Sequence, residues 1–141
     1  MGSYAELYLH YLKTEDKEDY LQSIGLGNGF EFREDLRIRT YETCKRFPIE
    51  EQSEGARLFQ EWKKKLPVEY KDEFEKIDNL LKHRARLFAE AADIDKQKSI
   101  KWFFCSKDKV DKDKRKLKEP IWTERFRVED EINSIVEKIW Q

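Results

Sequence analysis

The stretch from Val68 to about Ala92 constrains this chain most. Tyr70, Phe74, Ile77, Leu81 and Phe88 recur at helical spacing, flanked by Leu80, Leu87 and Ala91. Residues so spaced share one side of a 3.6-residue turn, whereas a strand would scatter them over two faces. The 25 residues from 68 to 92 would extend roughly 37 Å as a helix. That is long enough to act as the spine of a domain, and its apolar stripe needs other elements packed against it.

Two further segments carry the same period. Val128, Ile132, Ile135, Val136 and Ile139 form an apolar stripe, with Glu129, Asp130 and Glu131 ahead of it. Acids in a first turn complement the helix dipole, so the spacing predicts a helix from near Thr123 or Val128 to Trp140. Pro48 suits a first helical position. From there a helix is expected to about Leu66, burying Leu58, Phe59, Trp62 and Leu66, with Pro67 ending it.

The first third of the chain is less decided. Tyr4–Lys13 fits alternation (Ala5, Leu7, Leu9) and helical spacing (Tyr4, Tyr8, Tyr11, Leu12) alike. Thr14 followed by Glu15 and Asp16 reads as a helix start. That helix would carry Tyr20, Leu21 and Ile24 and stop at Gly25, where GLGNG offers glycines free to take positive φ. Phe30–Thr40 alternates in two pieces, Phe30/Phe32 and Leu36/Ile38, and supplies the best strand candidates. A short edge hairpin packed on helices would account for them. Tyr41, Cys44 and Phe47 lie about a turn apart.

Composition pulls in two directions. Charged residues reach 42% and hydrophobic residues only 38%, a balance that leans toward disorder. A net charge of −1 and nineteen aromatics (nine Phe, six Tyr, four Trp) oppose it, because each aromatic brings a large apolar area to a core. The expected fold is therefore mainly α: a compact bundle of four to five helices in a single domain, residues 1–141. It has room for a small β-hairpin near residues 30–40.

Catalytic chemistry finds no support in the residue pattern. GLGNG lacks the spacing of a dinucleotide fingerprint and the Lys-Ser/Thr of a phosphate loop. His10 and His83 are the only histidines, and neither has a nucleophile beside it to form a triad. His83 reads as a partly exposed structural residue. No paired His, C-x-x-C or H-E-x-x-H suggests a metal. Asp108, Asp111 and Asp113 loosely resemble a calcium loop, but Lys116 and Trp122 occupy the positions that need Gly and Glu. No catalytic residue, metal or cofactor is expected.

Cys44 and Cys105 make no disulfide framework and read as free thiols beside aromatic residues. No apolar stretch approaches the ~20 residues of a membrane span. These features lead to an expected cytoplasmic protein with no membrane partner.

The small helical RNases of the HEPN class invite comparison. Their signature places an Arg before a His with four to six residues between them, but Lys76, Ile77 and Asp78 stand there before His83. The opening MGSYAELYL nonetheless resembles the start of an N-terminal module attached to HEPN and Toprim proteins of bacterial defence systems. That resemblance covers nine of the 141 residues. It implies a setting in bacterial defence or phage counter-defence, and no site residues.

Asp95–Glu119 is the strongest surface signal. Ten Lys/Arg stand against five Asp/Glu, a formal +5 in a nearly neutral chain. Lys107, Lys109, Lys112, Lys114, Arg115, Lys116 and Lys118 are the candidate binding residues, with Trp102 and Phe103 as candidate stacking or anchor groups. Interleaved Asp108, Asp111 and Asp113 would repel a phosphate backbone. Trp102–Phe104 lie in the densest apolar run, which favours burial. Residues 106–119 are thus expected to form a solvated connection, ending near Pro120, between the long helix and the C-terminal one.

The function expected is a small binding or adaptor protein acting through protein–protein contacts. Its expected partner is a protein with an acidic surface. The alternative is nucleic-acid binding through residues 96–118.

Overall fold

The computed structural model describes the backbone at residues 3–27, 30–98 and 102–141, and side chains at 4–27, 34–98 and 102–141. It is mainly α. Five helices follow one another: α1 (Ser3–Ser23), α2 (Phe30–Cys44), α3 (Ile49–Glu69), α4 (Lys71–Lys96) and α5 (Lys107–Ile139). The chain divides into two units, Met1–Phe74 with Val136–Gln141, and Glu75–Ile135.

In the first unit α2 returns antiparallel to α1, and α3 runs parallel to α1. Ring contacts Tyr4–Phe47 (5.0 Å) and Tyr11–Tyr41 (6.1 Å) set the first pairing. The second is tight. A Cβ on Gly55 would lie 2.8 Å from the Ala5 carbonyl oxygen and 2.9 Å from the Tyr8 Cβ, so only glycine lets the backbones approach this closely. The Ala5 N–H donates to Glu51 Oε2 at 3.1 Å, satisfying one of the orphan donors at the start of α1. Farther along, Lys63 pairs with Asp16. Trp140 stacks on Tyr20 at 5.0 Å, meets Phe74 edge-on at 6.0 Å, and donates its Nε1–H to Asp16 Oδ2 at 3.0 Å.

Gly25 stops α1 as its sequence implies. It has φ 77°. Its N–H bonds the Gln22 carbonyl at 3.1 Å, and the Leu26 N–H reaches the Leu21 carbonyl at 2.8 Å. This is the paired closure of a Schellman end, and both leucines are buried.

In the second unit α4 and α5 form an antiparallel pair. Partners on α5 fall in number as those on α4 rise: Lys76–Glu131, Arg84–Glu129, Phe88–Trp122, Asp95–Lys118. Ile77, Leu87 and Ala91 of α4 are buried, as are Val128, Ile132 and Ile135 of α5. The C-terminal stripe read from the sequence is buried along its whole length, including Val136 and Ile139 in the first unit.

Four expectations need correction. Residues 30–40 are helical, and no strand forms among the described residues. Asp35 bonds Arg39 at i,i+4 (3.1 Å), and the Thr40 hydroxyl donates to the Leu36 carbonyl one turn back. Such short-range support favours α2 over an alternation only two residues deep. Phe30 and Phe32 lie outside the described side chains. Thr14 does not start a helix: α1 runs unbroken from Ser3, and the Thr14 hydroxyl bonds the His10 carbonyl. Pro67 sits inside α3, two residues before its end, and does not stop it; α4 then starts at Lys71, not Val68. Residues 107–119 are the first part of α5, which continues through Pro120. Ser106 starts it: its Oγ accepts the Lys109 N–H at 3.3 Å and its carbonyl the Val110 N–H at 3.1 Å.

Candidate interaction surface

The turn between α4 and α5 is built around Trp102. The indole is 7% exposed and donates to Asp113 Oδ2 at 3.1 Å, with Lys114 Nζ 5.5 Å from its centroid. The Cys105 N–H closes the turn on the Trp102 carbonyl at 3.1 Å. With Trp102 anchored, the next two side chains project outward. Phe103 is 79% and Phe104 94% exposed, and their rings meet edge-to-face at 4.9 Å. The expectation that Trp102–Phe104 join the core thus holds for Trp102 alone. Leaving a Phe in water forgoes about 1.5–3 kcal/mol of burial. Two adjacent exposed rings therefore form an apolar patch of the kind that marks contact sites.

Helix formation sorts the tract's charges. Lys109, Lys112, Arg115 and Lys116 are all exposed. At 100° per residue they occupy an arc of roughly 120° that also takes in Asp108 and Glu119 and leaves Asp111 and Asp113 outside. Lys109 lies 3.6 Å from Asp113, whereas Lys112, Arg115 and Lys116 make no ion pair among the described residues. Lys114 and Lys118 leave this face. Lys114 Nζ donates to the Asp95 carbonyl at 2.7 Å, and Lys118 bonds the Asp95 carboxylate at 2.8 Å. Lys107 is exposed at the start of α5, beside the phenyl pair. Of the seven candidate cations, five remain accessible and two brace the turn.

A second feature was not singled out by the sequence. Between α1 and α2 lies an apolar groove of about 440 Å³, lined by Leu7, Tyr11, Leu36, Cys44 and Phe47, with Glu15 and Glu18 at one end. Leu7 and Leu36 are 52% and 56% exposed. Burial, then the nearby Glu15, pushes the Tyr11 hydroxyl up to about 12, and burial also raises the Cys44 thiol. Both stay protonated at neutral pH. Arg37 braces the acidic end, donating to Glu15 at 3.0 and 2.5 Å and lying 3.5 Å from Asp19 and 3.6 Å from Glu34. The excess of aromatic and aliphatic side chains over core positions was the available signal. It did not say which would stay uncovered.

His83 lies on neither feature. Its Nε2 is 3.2 Å from Glu124 Oε1, and its side chain is partly exposed, at 35%. Hydrogen bonds from Arg127 first, then His83, pull the Glu124 carboxyl down to about 2. A carboxylate held ionised this firmly is a poor proton carrier near neutrality. Among the described residues no group of His, Cys, Asp and Glu is arranged to hold a metal ion, and no helix is long and apolar enough to cross a membrane. No protein-family model, curated protein or solved structure matches this chain.

Proposed function

We propose that this chain is a non-catalytic protein-binding module whose contact is made by the α4–α5 turn. The observation that carries the reading is the exposed Phe103–Phe104 pair, followed closely in sequence by exposed cations. Aromatic anchors of this type supply the centre of interface energetics when they enter a recess on a partner. The cations Lys107, Lys109, Lys112, Arg115 and Lys116 supply steering and register toward an acidic rim. From residue 96 to 107 the chain has no Asp or Glu at all, so nothing at the turn repels such a rim.

The test is capture from extract of the source cell by immobilised full chain, set beside the Phe103→Ser/Phe104→Ser variant. One protein retained near stoichiometrically by the natural chain, and lost by the variant, is the expected result. Equal retention by both overturns the reading.

A second reading has its own observation, the grouping of Lys109, Lys112, Arg115 and Lys116 on one face of α5. Of the interleaved acids that argue against nucleic acid in the linear sequence, Asp111 and Asp113 lie outside this face, while Asp108 shares it. Four phosphate contacts would make the affinity for a random single-stranded oligonucleotide fall with a log–log salt slope of about −3. No retention at low salt removes this reading.

A further inference from the structure

We infer that the partner of the α4–α5 turn is a second copy of this chain, whose α1–α2 groove receives Phe103 and Phe104. This rests on the reading of the turn as a protein-binding surface and adds the identity of its partner.

The two surfaces complement each other in shape and sign. The groove, at about 440 Å³, falls in the range that holds compact aromatic ligands. Its walls at Leu7, Tyr11, Leu36 and Phe47 are the apolar and aromatic types that phenyl rings pack against. Its end is acidic. Glu15, Asp19 and Glu34 stand around the guanidinium of Arg37, and Glu18 lines the groove with Glu15. Among the described residues His10 lies on the wall, and the Lys45 ammonium lies over the Tyr41 ring at 4.4 Å. The turn carries the opposite charge, with Lys98, Lys107 and Lys109 close to the phenyl pair in sequence and no acid between residues 96 and 107.

Formal charge follows the same division. The first unit holds thirteen Lys/Arg against seventeen Asp/Glu, −4, and the second sixteen against thirteen, +3. Copies of such a chain attract turn to groove and repel groove to groove.

The contact joins unlike patches, so it is heterologous. Each docked pair still presents one free turn and one free groove. Association therefore continues past the dimer, to a ring where the rotation closes and to an open filament where it does not. Because the complementarity is partly ionic and partly exposed, salt weakens it.

Sedimentation of the full chain at low and high salt tests the inference. At low salt and high concentration the average mass is expected to exceed twice the 17.2 kDa chain, returning toward one chain in 0.5 M salt. Phe103→Ser/Phe104→Ser removes the turn's anchor, and Leu36→Lys puts a charge in the exposed wall of the groove. Both sites are exposed, so each variant keeps the helical signal and melting temperature of the parent.

Each variant alone is expected to be monomeric. Mixed in equal amounts they regain a one-to-one complex that stops at the dimer, since only one intact turn and one intact groove remain to meet. A symmetric interface damaged in either variant gives no such rescue. A natural chain that stays monomeric at low salt, self-association that survives in the Phe103→Ser/Phe104→Ser variant, or a mixture that stays monomeric each overturns the inference. A monomeric chain that still captures a different protein through Phe103 and Phe104 overturns it while leaving the protein-binding reading in place.

Discussion

The two units close by different chemistry. In the first, rings and backbone meet: Trp140 against Tyr20 and Phe74, and Gly55 against Ala5. In the second, an aliphatic stripe is buried and arginines clamp its flank. Arg84 and Arg125 both donate to Glu129 Oε1, at 2.9 and 2.7 Å, and both guanidinium carbons lie 5.1 Å from the Phe88 centroid. A stripe of branched aliphatics depends on periodicity alone. A crossing at glycine depends on one position and no repeat. The first kind of packing tolerates drift along a helix, and the second does not.

The largest effect should come from the stripe. Ile132 is fully buried, and Ile132→Ala removes its side chain with little room for the surroundings to collapse. A loss of about 2–5 kcal/mol is expected in urea unfolding. A loss below 1 kcal/mol would mean the stripe is not what holds the second unit.

The arginine clamp comes next. Glu129 is 12% exposed at its side chain. Burial pushes its carboxyl up, but the hydrogen bonds from Arg125 and Arg84 outweigh this and hold it below the usual range. Glu129→Gln keeps the shape and removes the charge. Hydrogen bonds to a charged group are worth about 1.5–3 kcal/mol, and a destabilisation of that order is expected. Double substitution with Arg84→Met should cost less than the two single changes added together, because the second loss finds its partner already gone.

In the first unit Gly55→Ala is the matching probe. The added methyl would sit 2.8 Å from a carbonyl oxygen, and overpacking costs about 1–3 kcal/mol. Alanine recovers about 1 kcal/mol of helix propensity over glycine, so the net loss should be about 0–2 kcal/mol. A gain in stability would show that α1 and α3 yield at the crossing and would erase the contrast between the units.

These sites also show how much could be read in advance. The α5 stripe and the Gly25 stop were legible because each follows a local rule, one of period and one of φ. The α2 segment was not. Leu36 and Ile38 are both about half exposed, so their alternation reports no buried face. Phe103 and Phe104 misled for a related reason: apolar density marks burial only where another element arrives to cover it. The charge tract misled in another sense, since Lys and Asp that alternate in sequence separate in part around a helix: Asp111 and Asp113 leave the cationic face, and Asp108 stays on it. The α1–α2 groove needed two helices in register, which no single window of sequence contains.

Acid should act on the second unit through Glu124. An unfolded Glu titrates near ~4.3, while the folded carboxyl is held at about 2, by Arg127 first and His83 second. A depressed folded value means the stabilisation is complete above the unfolded value and is lost as pH falls from about 4 toward 2. Glu124→Gln should therefore lower the unfolding midpoint at pH 6, and the gap from the natural protein should close by pH 2. A gap independent of pH would assign the loss to packing instead of charge.

The smallest effect expected sets a control on the clamp. Arg57 bonds Glu54 at 2.5 Å and Glu61 at 2.5 Å on α3, with all three side chains about half exposed. Its geometry is as close as that of Glu129 with its arginines, and the two clusters differ chiefly in exposure. Solvent screens the exposed pairs, and fixing long side chains costs entropy that the pairing only offsets. Arg57→Ala should thus leave the unfolding midpoint within measurement error, in low salt as in high. If it destabilises as much as Glu129→Gln, bond geometry alone governs both clusters, and burial is not what makes the clamp of the second unit count.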